Sequence, residues 1–340
     1  MPYQRVTLTA FGGPEKLQLV EEPSLPEPGP GEVRVRVCAA GTGFTDTIIR
    51  RGNYTGIKQK PPFTPGYDLV GVVDALGPGV SALALGEKVA DMPVIGGYTQ
   101  YIVRRAEDLV PVPAEVDDAE AVCMPLSFLT AYQMLTRLRK FHPGDRILIH
   151  GASGATGSAL LVLGAHFGLR MYGTCSRSKF ELLARYGCTP IDYRHEDFVA
   201  RIEELTKDGV DAAFDAIGGS HWNRSYRCLK RGGLLVGYGA QNIAKGEDSM
   251  FKVLLGFFKL MVWWNLRPGR KAAFYNIHTR RTRKPGEFNA DLRALFGLLQ
   301  AGRVKPVVAG RYPLSEARAV HEKIDRGEVL GKIVLLPFAT

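Results

Sequence analysis

The chain has 340 residues, more than the roughly 250–300 at which a single hydrophobic core stops growing, so two domains are expected. Hydrophobic residues at 45% and charged residues at 23% are globular proportions and exclude disordered and collagen-like chains. The net charge of +10 invites a nucleic-acid or membrane reading, but it is confined: residues 224–284 hold 14 basic side chains against only Glu247 and Asp248, and the rest of the chain is slightly acidic.

Residues 1–126 read as β. Runs at 5–11, 17–21, 33–39, 69–76 and 99–103 are rich in Val, Leu, Thr and Tyr, and Gly/Pro clusters at 28–31, 65–66, 77–79 and 96–97 separate them. Many short strands with such turns suggest a small barrel rather than a βαβ unit. After Pro113 the character changes. Residues 117–139 read as helical despite Pro125, and then strand and helix signals alternate. Strands are expected at 146–150, 170–175, 191–193, 210–217, 234–238 and 272–278, with helices at 157–167, 179–186 and 196–207 among them. The overall class is α/β, with a doubly wound parallel six-stranded sheet in residues 127–285. A helix at 287–299 precedes short apolar runs at 307–309 and 333–336, which can rejoin the first domain, giving 1–126 together with 286–340. Five cysteines without a C-x-x-C pair argue against a zinc ribbon or disulfide scaffold and fit a reducing compartment. No charged n-region with an apolar stretch opens the sequence, so a cytoplasmic protein is expected.

The segment RILIHGASGATG at 146–157 carries the most chemistry. A hydrophobic strand runs into Gly151, Ala152, Ser153, Gly154, Ala155, Thr156 and Gly157, and a helix follows. Glycines three apart allow a sharp turn, close approach of the backbone to a pyrophosphate and tight helix–strand packing, while the helix N-terminus offers free N–H groups to the anion. The competing reading is a glycine-rich structural turn. An NAD site places an acid about 20 residues on, at the end of the second strand. Here that place reads GTCSRSK, with no acid before Glu181. Ser176, Arg177 and Lys179 offer a hydroxyl and two cations, which suits the 2′-phosphate of NADPH, unless they form only a solvated helix start. Tyr193, after the third strand, can add a hydroxyl or an adenine-side contact.

On these residues, with AGTGFTDT at 40–47, PGYDLVG at 65–71, GEKV at 86–89, LTAY at 129–132, DAIG at 215–218 and GKIV at 331–334, the sequence resembles the zinc-independent quinone oxidoreductase branch of the medium-chain dehydrogenase/reductase superfamily. The resemblance implies a GroES-like catalytic domain built from both chain ends, a Rossmann domain between them, and hydride transfer from NADPH to quinones or activated alkenes in a homodimer. Zinc-dependent relatives place a Cys near Thr42 or Gly43 and a His where Tyr67 stands; both are absent, so no metal is expected. An Asn often found at the position of Gly43 and a Tyr at that of Ile48 are also missing, whereas Tyr54 and Thr130 match.

Hydride transfer needs little side-chain chemistry, because the nicotinamide carries the reactive hydrogen. The catalytic candidates are Tyr54 and Thr130, which would position or polarise a carbonyl, and Asp46, for which helix capping competes with acid–base work. Thr130 is also a cofactor candidate. Ile217, Gly218, Gly237, Tyr238 and Gly239 close the last βα turns and are assigned to the nicotinamide side.

The stretch 249–266 is apolar almost all round a helix, with Ser249 as N-cap and residues 267–269 as stop. It falls short of the ~20 apolar residues that span a bilayer. Three readings stay open: a buried helix capping the substrate cleft or a dimer seam, an interfacial helix on an anionic membrane with the cations of 249–284 at headgroups, or polyanion binding. The vesicle amine transport protein branch resembles this chain in having an extended segment here. Nucleic acid is not expected as a partner, since no RNA-binding motif is present. Two functional alternatives to quinone or enone reduction also remain: a membrane- or polyanion-associated protein that keeps NADPH binding with little catalysis, and acyl-CoA or acyl-chain enoyl reduction, in which an anionic substrate handle uses the basic surface.

Overall fold

Val33, Val35 and Val37 are buried and alternate with Arg34, Arg36 and Cys38, and this period of two builds the longest strand among the described residues. A computed structural model describes residues 1–54, 56–239, 250–266 and 268–339, which divide into two units: Met1–Leu129 with His278–Thr340, and Thr130–Ile277. In the first unit β1 (Tyr3–Leu8) and β2 (Leu17–Glu22) pair antiparallel. The main sheet takes β3 (Glu32–Thr42), β4 (Asp68–Leu76), β5 (Lys88–Asp91), β6 (Tyr101–Arg105) and β7 (Val110–Pro111). β5 and β7 fall outside the runs expected from sequence, because four and two residues are too short to show a period. The expected run at 5–11 overshoots, since β1 ends at Leu8 and Phe11 stays exposed in the following bend.

The second unit holds β8 (Arg146–His150), β9 (Arg170–Cys175), β10 (Cys188–Asp192), β11 (Val210–Asp215), β12 (Leu229–Gly237) and β13 (Lys271–Phe274), all parallel, in the order β10-β9-β8-β11-β12-β13. That order reverses direction between β8 and β11, where open α/β sheets place their ligands. The expected strand at 191–193 lies at 188–192 instead: Pro190 blurs the signal, yet an edge strand tolerates its missing N–H. The expected strand at 272–278 stops at Phe274, and Ile277–Arg283 is helix. At the outer edge of β13, Ala272 donates its N–H to Asn265 Oδ1 at 2.9 Å and accepts from Asn265 Nδ2 at 2.8 Å. The chain then returns to the first sheet with β14 (Val308–Pro313) parallel to β15 (Lys332–Leu336), and β15 pairs antiparallel with β3.

Behind the parallel sheet, Leu148, Phe198, Ile202, Trp222 and Leu235 form a core that also receives Leu260 and Trp264. These last two belong to the apolar stretch, which runs as a helix Met250–Phe258, a wider turn Lys259–Trp263 and a short helix Trp264–Leu266. The stretch is apolar almost all round, but among its described side chains only one side is covered. Gly256, Leu260 and Trp264 are buried and Phe257 packs on Trp222 and Phe274, because a single helix on a sheet can cover one side alone. The expected N-cap Ser249 and the first stop residue Arg267 lie outside the described residues. Among the described residues no helix is long and apolar enough to cross a membrane.

Candidate functional site

In the second unit β8 delivers its last residue, His150, into a turn whose first glycine, Gly151, has φ +62°. A Cβ on Gly157 would stand 2.2 Å from Gly151 O and 2.7 Å from Ala152 Cα, so only glycine lets the helix Ala155–His166 start this close to the strand. Gly154 is the N-cap and brings no side chain to the first turn, leaving the leading amides of Ala155, Thr156 and Gly157 uncapped by a side chain. Ala152 and Ser153 are buried beneath the turn. A glycine cradle at an uncapped helix N-terminus fits a pyrophosphate.

At the end of β9, Ser176 stands at the N-cap position of the short helix Arg177–Lys179 without a capping bond, its Oγ 3.3 Å from Ser178 Oγ. Arg177 is exposed, and burial holds the Lys179 ammonium below its ordinary pKa. Tyr193, one residue past β10, is exposed, and the Arg194 guanidinium sits 5.8 Å from its ring centroid. Arg194 was not among the sequence candidates. It follows a strand whose end was misplaced by a residue, and nothing in its own neighbourhood marks it.

Past β11, Asp215 Oδ1 accepts the amides of Ile217 at 2.8 Å and Gly218 at 3.2 Å. Past β12, Tyr238 donates its amide to Asp215 O at 3.1 Å, and a Cβ on Gly239 would stand 2.6 Å from Ala216 O. A Cβ on Gly237 would press on Trp222 and Leu260 at 3.0 Å. The turns after β8 and β11 thus flank the reversal of strand order. Thr130, also in this unit, is buried on the helix Leu129–Thr136.

In the first unit, the Tyr54 hydroxyl lies 2.6 Å from that of Tyr67, with the rings edge to face. Burial raises the pKa of Tyr54, against the bond from Tyr67. Tyr67 escaped the sequence reading because it stood only as the residue replacing a metal ligand. Asp46 occupies the third position of the helix Phe44–Arg50, and its Oδ2 accepts the Gly43 amide at 2.9 Å. It is completely buried; burial first, and then the charge of Asp68, push its carboxyl up to about 7. Asp68 is ion-paired with Lys332, both buried.

These positions also test a metal. Zinc takes thiolate, imidazole or carboxylate donors. Gly43 offers none, Tyr67 is a phenol engaged by Tyr54, and Asp68 is paired with an ammonium, so the residues do not fit a zinc ion. Among the described residues, one group of three side chains with metal-ligating atoms occurs elsewhere: His150, Asp215 and His221, within 4.8 Å of one another.

Residues 29–114 match the family model described as alcohol dehydrogenase GroES-like domain, and residues 188–335 match that described as zinc-binding dehydrogenase. The chain belongs to the medium-chain dehydrogenase/reductase superfamily, in the branch that holds quinone oxidoreductases and VAT-1 homologues. It is 33% identical over 335 residues to a 2-haloacrylate reductase of Burkholderia sp, covering 96% of this chain and 97% of that one. It is 30% identical over 339 residues to the synaptic vesicle membrane protein VAT-1 homolog of Danio rerio, covering 98% of this chain and 70% of the relative. The solved structure of Escherichia coli quinone oxidoreductase complexed with NADPH superposes with a TM-score of 0.87 at 28% identity, covering 98% of this chain and all of that one.

Proposed function

We propose that the protein is a zinc-free, NADPH-dependent reductase that delivers hydride to a quinone or an α,β-unsaturated carbonyl compound. The observation that carries the cofactor is the end of β9: no carboxylate stands there to hold a ribose 2′-hydroxyl, whereas Ser176, Arg177 and Lys179 offer the donors a 2′-phosphate takes. The acceptor class is supported by two relatives, since haloacrylates and quinones are both conjugated, electrophilic π systems.

NADPH, when bound, supplies the hydride. The chain's own residues do the rest. The 151–157 turn and the first amides of the helix Ala155–His166 hold the pyrophosphate. Ile217, Gly218 and Gly239 leave room at the nicotinamide side. Either hydroxyl of the Tyr54–Tyr67 pair can donate; with Tyr67 as the donor, the Tyr54 proton is the one left to give to the reduced acceptor, and burial keeps that phenol protonated at neutral pH. Association into homodimers is part of this reading.

The test is NADPH or NADH oxidation against a panel of quinones and enones. The expected result is turnover on at least one acceptor with NADPH strongly preferred, and an increase of about tenfold in the NADPH KM on Arg177→Ala. Equal use of NADH would overturn the cofactor assignment, and no turnover on any acceptor would overturn the reductase.

A second reading is favoured by one specific observation. The outer face of 250–266 leaves Leu254, Leu255, Phe258, Met261, Val262 and Leu266 exposed, Leu254 by 62% and Leu266 by 74%. Residues 249–286 contain nine cations and no acid. Side chains this open suit an anionic lipid surface better than a peptide that needs a groove. A second copy on the same face would set like charges opposite one another.

A further inference from the structure

Four side chains that the proposed chemistry does not use form one directional chain of hydrogen bonds beneath the two cofactor turns. Asp215 is completely buried, and although burial opposes its charge, the bond and charge of His221 and the Ser225 hydroxyl bring its carboxyl down to about 2, so it only accepts. Ser225 Oγ, 2.5 Å from Asp215 Oδ2, therefore gives its single proton to that carboxylate. The same Oγ lies 3.1 Å from His150 Nε2 and has to accept there, which assigns His150 the Nε2–H tautomer. His150 Nδ1 is then an acceptor, and Thr174 Oγ1, 3.1 Å away, donates to it. Thr174 Oγ1 in turn accepts the amide of Gly151 at 3.3 Å. At the other end, Asp215 Oδ1 holds the amides of Ile217 and Gly218.

Every hydroxyl and ring nitrogen along this path points its proton the same way, from the first glycine of one turn to the carboxylate that shapes the other. Burial keeps His150 neutral, with its pKa lowered to about 3, so the chain has no charge to reverse it near neutral pH. His221 Nδ1 donates to Asp215 Oδ2 at 2.7 Å from the side. Both ring nitrogens of His150 and both carboxylate oxygens of Asp215 are thus engaged, and His221 is tied to the cluster through Nδ1. Bonds in such a chain polarise one another, so breaking it at one point weakens the rest.

We propose that Thr174, His150 and Ser225 are positioning residues that lock the Gly151 turn to the Ile217–Gly218 turn, so that both halves of the dinucleotide site are set as one unit. The inference rests on the reading of these two turns as the cofactor site. Its test is a double-mutant cycle of Thr174→Val and Ser225→Ala, each read by NADPH titration, by kcat at saturating cofactor, and by amide hydrogen exchange without cofactor. Each single variant is expected to raise the NADPH Kd about tenfold, and the double variant no more than about twofold beyond either. kcat at saturation should stay within about twofold, because no residue of the path touches reacting atoms. Unchanged Kd with a lowered melting temperature would reduce the path to ordinary core packing and overturn the proposal. So would additive losses in the double variant. Hydrogen exchange separates this from the cofactor reading. If the wild type binds no NADPH, the Ser225→Ala variant must still speed exchange at Gly151, the far end of the path, and unchanged exchange there overturns the coupling. Should Ser225→Ala fail to fold, Thr174→Val is read alone at Ile217 and Gly218 in the same way.

Discussion

Asp46 shows how burial changes what a carboxyl does. Its capping bond to Gly43 would favour the charged form, but complete burial and the nearby Asp68 outweigh that bond and raise its pKa from 3.8 to about 7. The folded chain therefore keeps a proton that the unfolded chain releases, so this group's stabilising contribution is fully present below pH ~4 and is lost as pH rises to about 7. Asp46→Asn keeps an acceptor for Gly43 and does not titrate. Its urea midpoint relative to wild type should accordingly rise between pH 4 and 7; a constant difference across that range would mean that Asp46 is ionised throughout. Tyr54 makes a separate prediction. Tyr54→Phe should lower kcat roughly 10²-fold, at the low end for a general acid, with the NADPH KM unchanged. Tyr67→Phe should give a smaller loss of the same kind, since it removes only the bond that orients the Tyr54 proton. Full activity in Tyr54→Phe would assign the proton to solvent.

The helix Met250–Phe258 and the turns after it carry a prediction at the scale of the element. Sedimentation with vesicles of phosphatidylcholine alone and with added phosphatidylserine should show binding only to the anionic vesicles, falling with salt. Leu254→Asp with Phe258→Asp should abolish it while leaving reductase activity intact, because both side chains are exposed and stand outside the 151–157 and 215–218 turns. Equal pelleting with neutral vesicles would remove the cations from the argument. The sequence shows this element clearly as an apolar run, but not which face is covered. That depends on Trp222, Tyr226 and Phe274, which come from other parts of the chain. The same distinction holds at the site. The glycine turn is legible because its requirement is local: three residues of spacing, a strand before and a helix after. The path through His150 is not, because its members lie on four separate elements and Ser225 is 75 residues from His150. β5 and β7 fail for a third reason, since strands of four and two residues are defined by the partner they pair with and not by their own pattern.

Over the whole molecule, the strand order of the second unit places the turns after β8 and β11 at its reversal point, and the return of β14 and β15 ties the C-terminal segment into the N-terminal sheet. The excess charge follows neither feature. It gathers in the stretch that runs from the helix His221–Arg227 through the apolar segment to the helix Ile277–Arg283. The Asn265 amide has a consequence at this scale as well. A parallel sheet that ends in a bare strand is a template on which identical sheets can add to one another without limit. At β13 one side-chain amide already fills the donor and the acceptor that an incoming strand would need at Ala272. A strand that adds to β13 at Ala272 must first expel Asn265, so at this position the edge is closed to pairing while the amide stays in place.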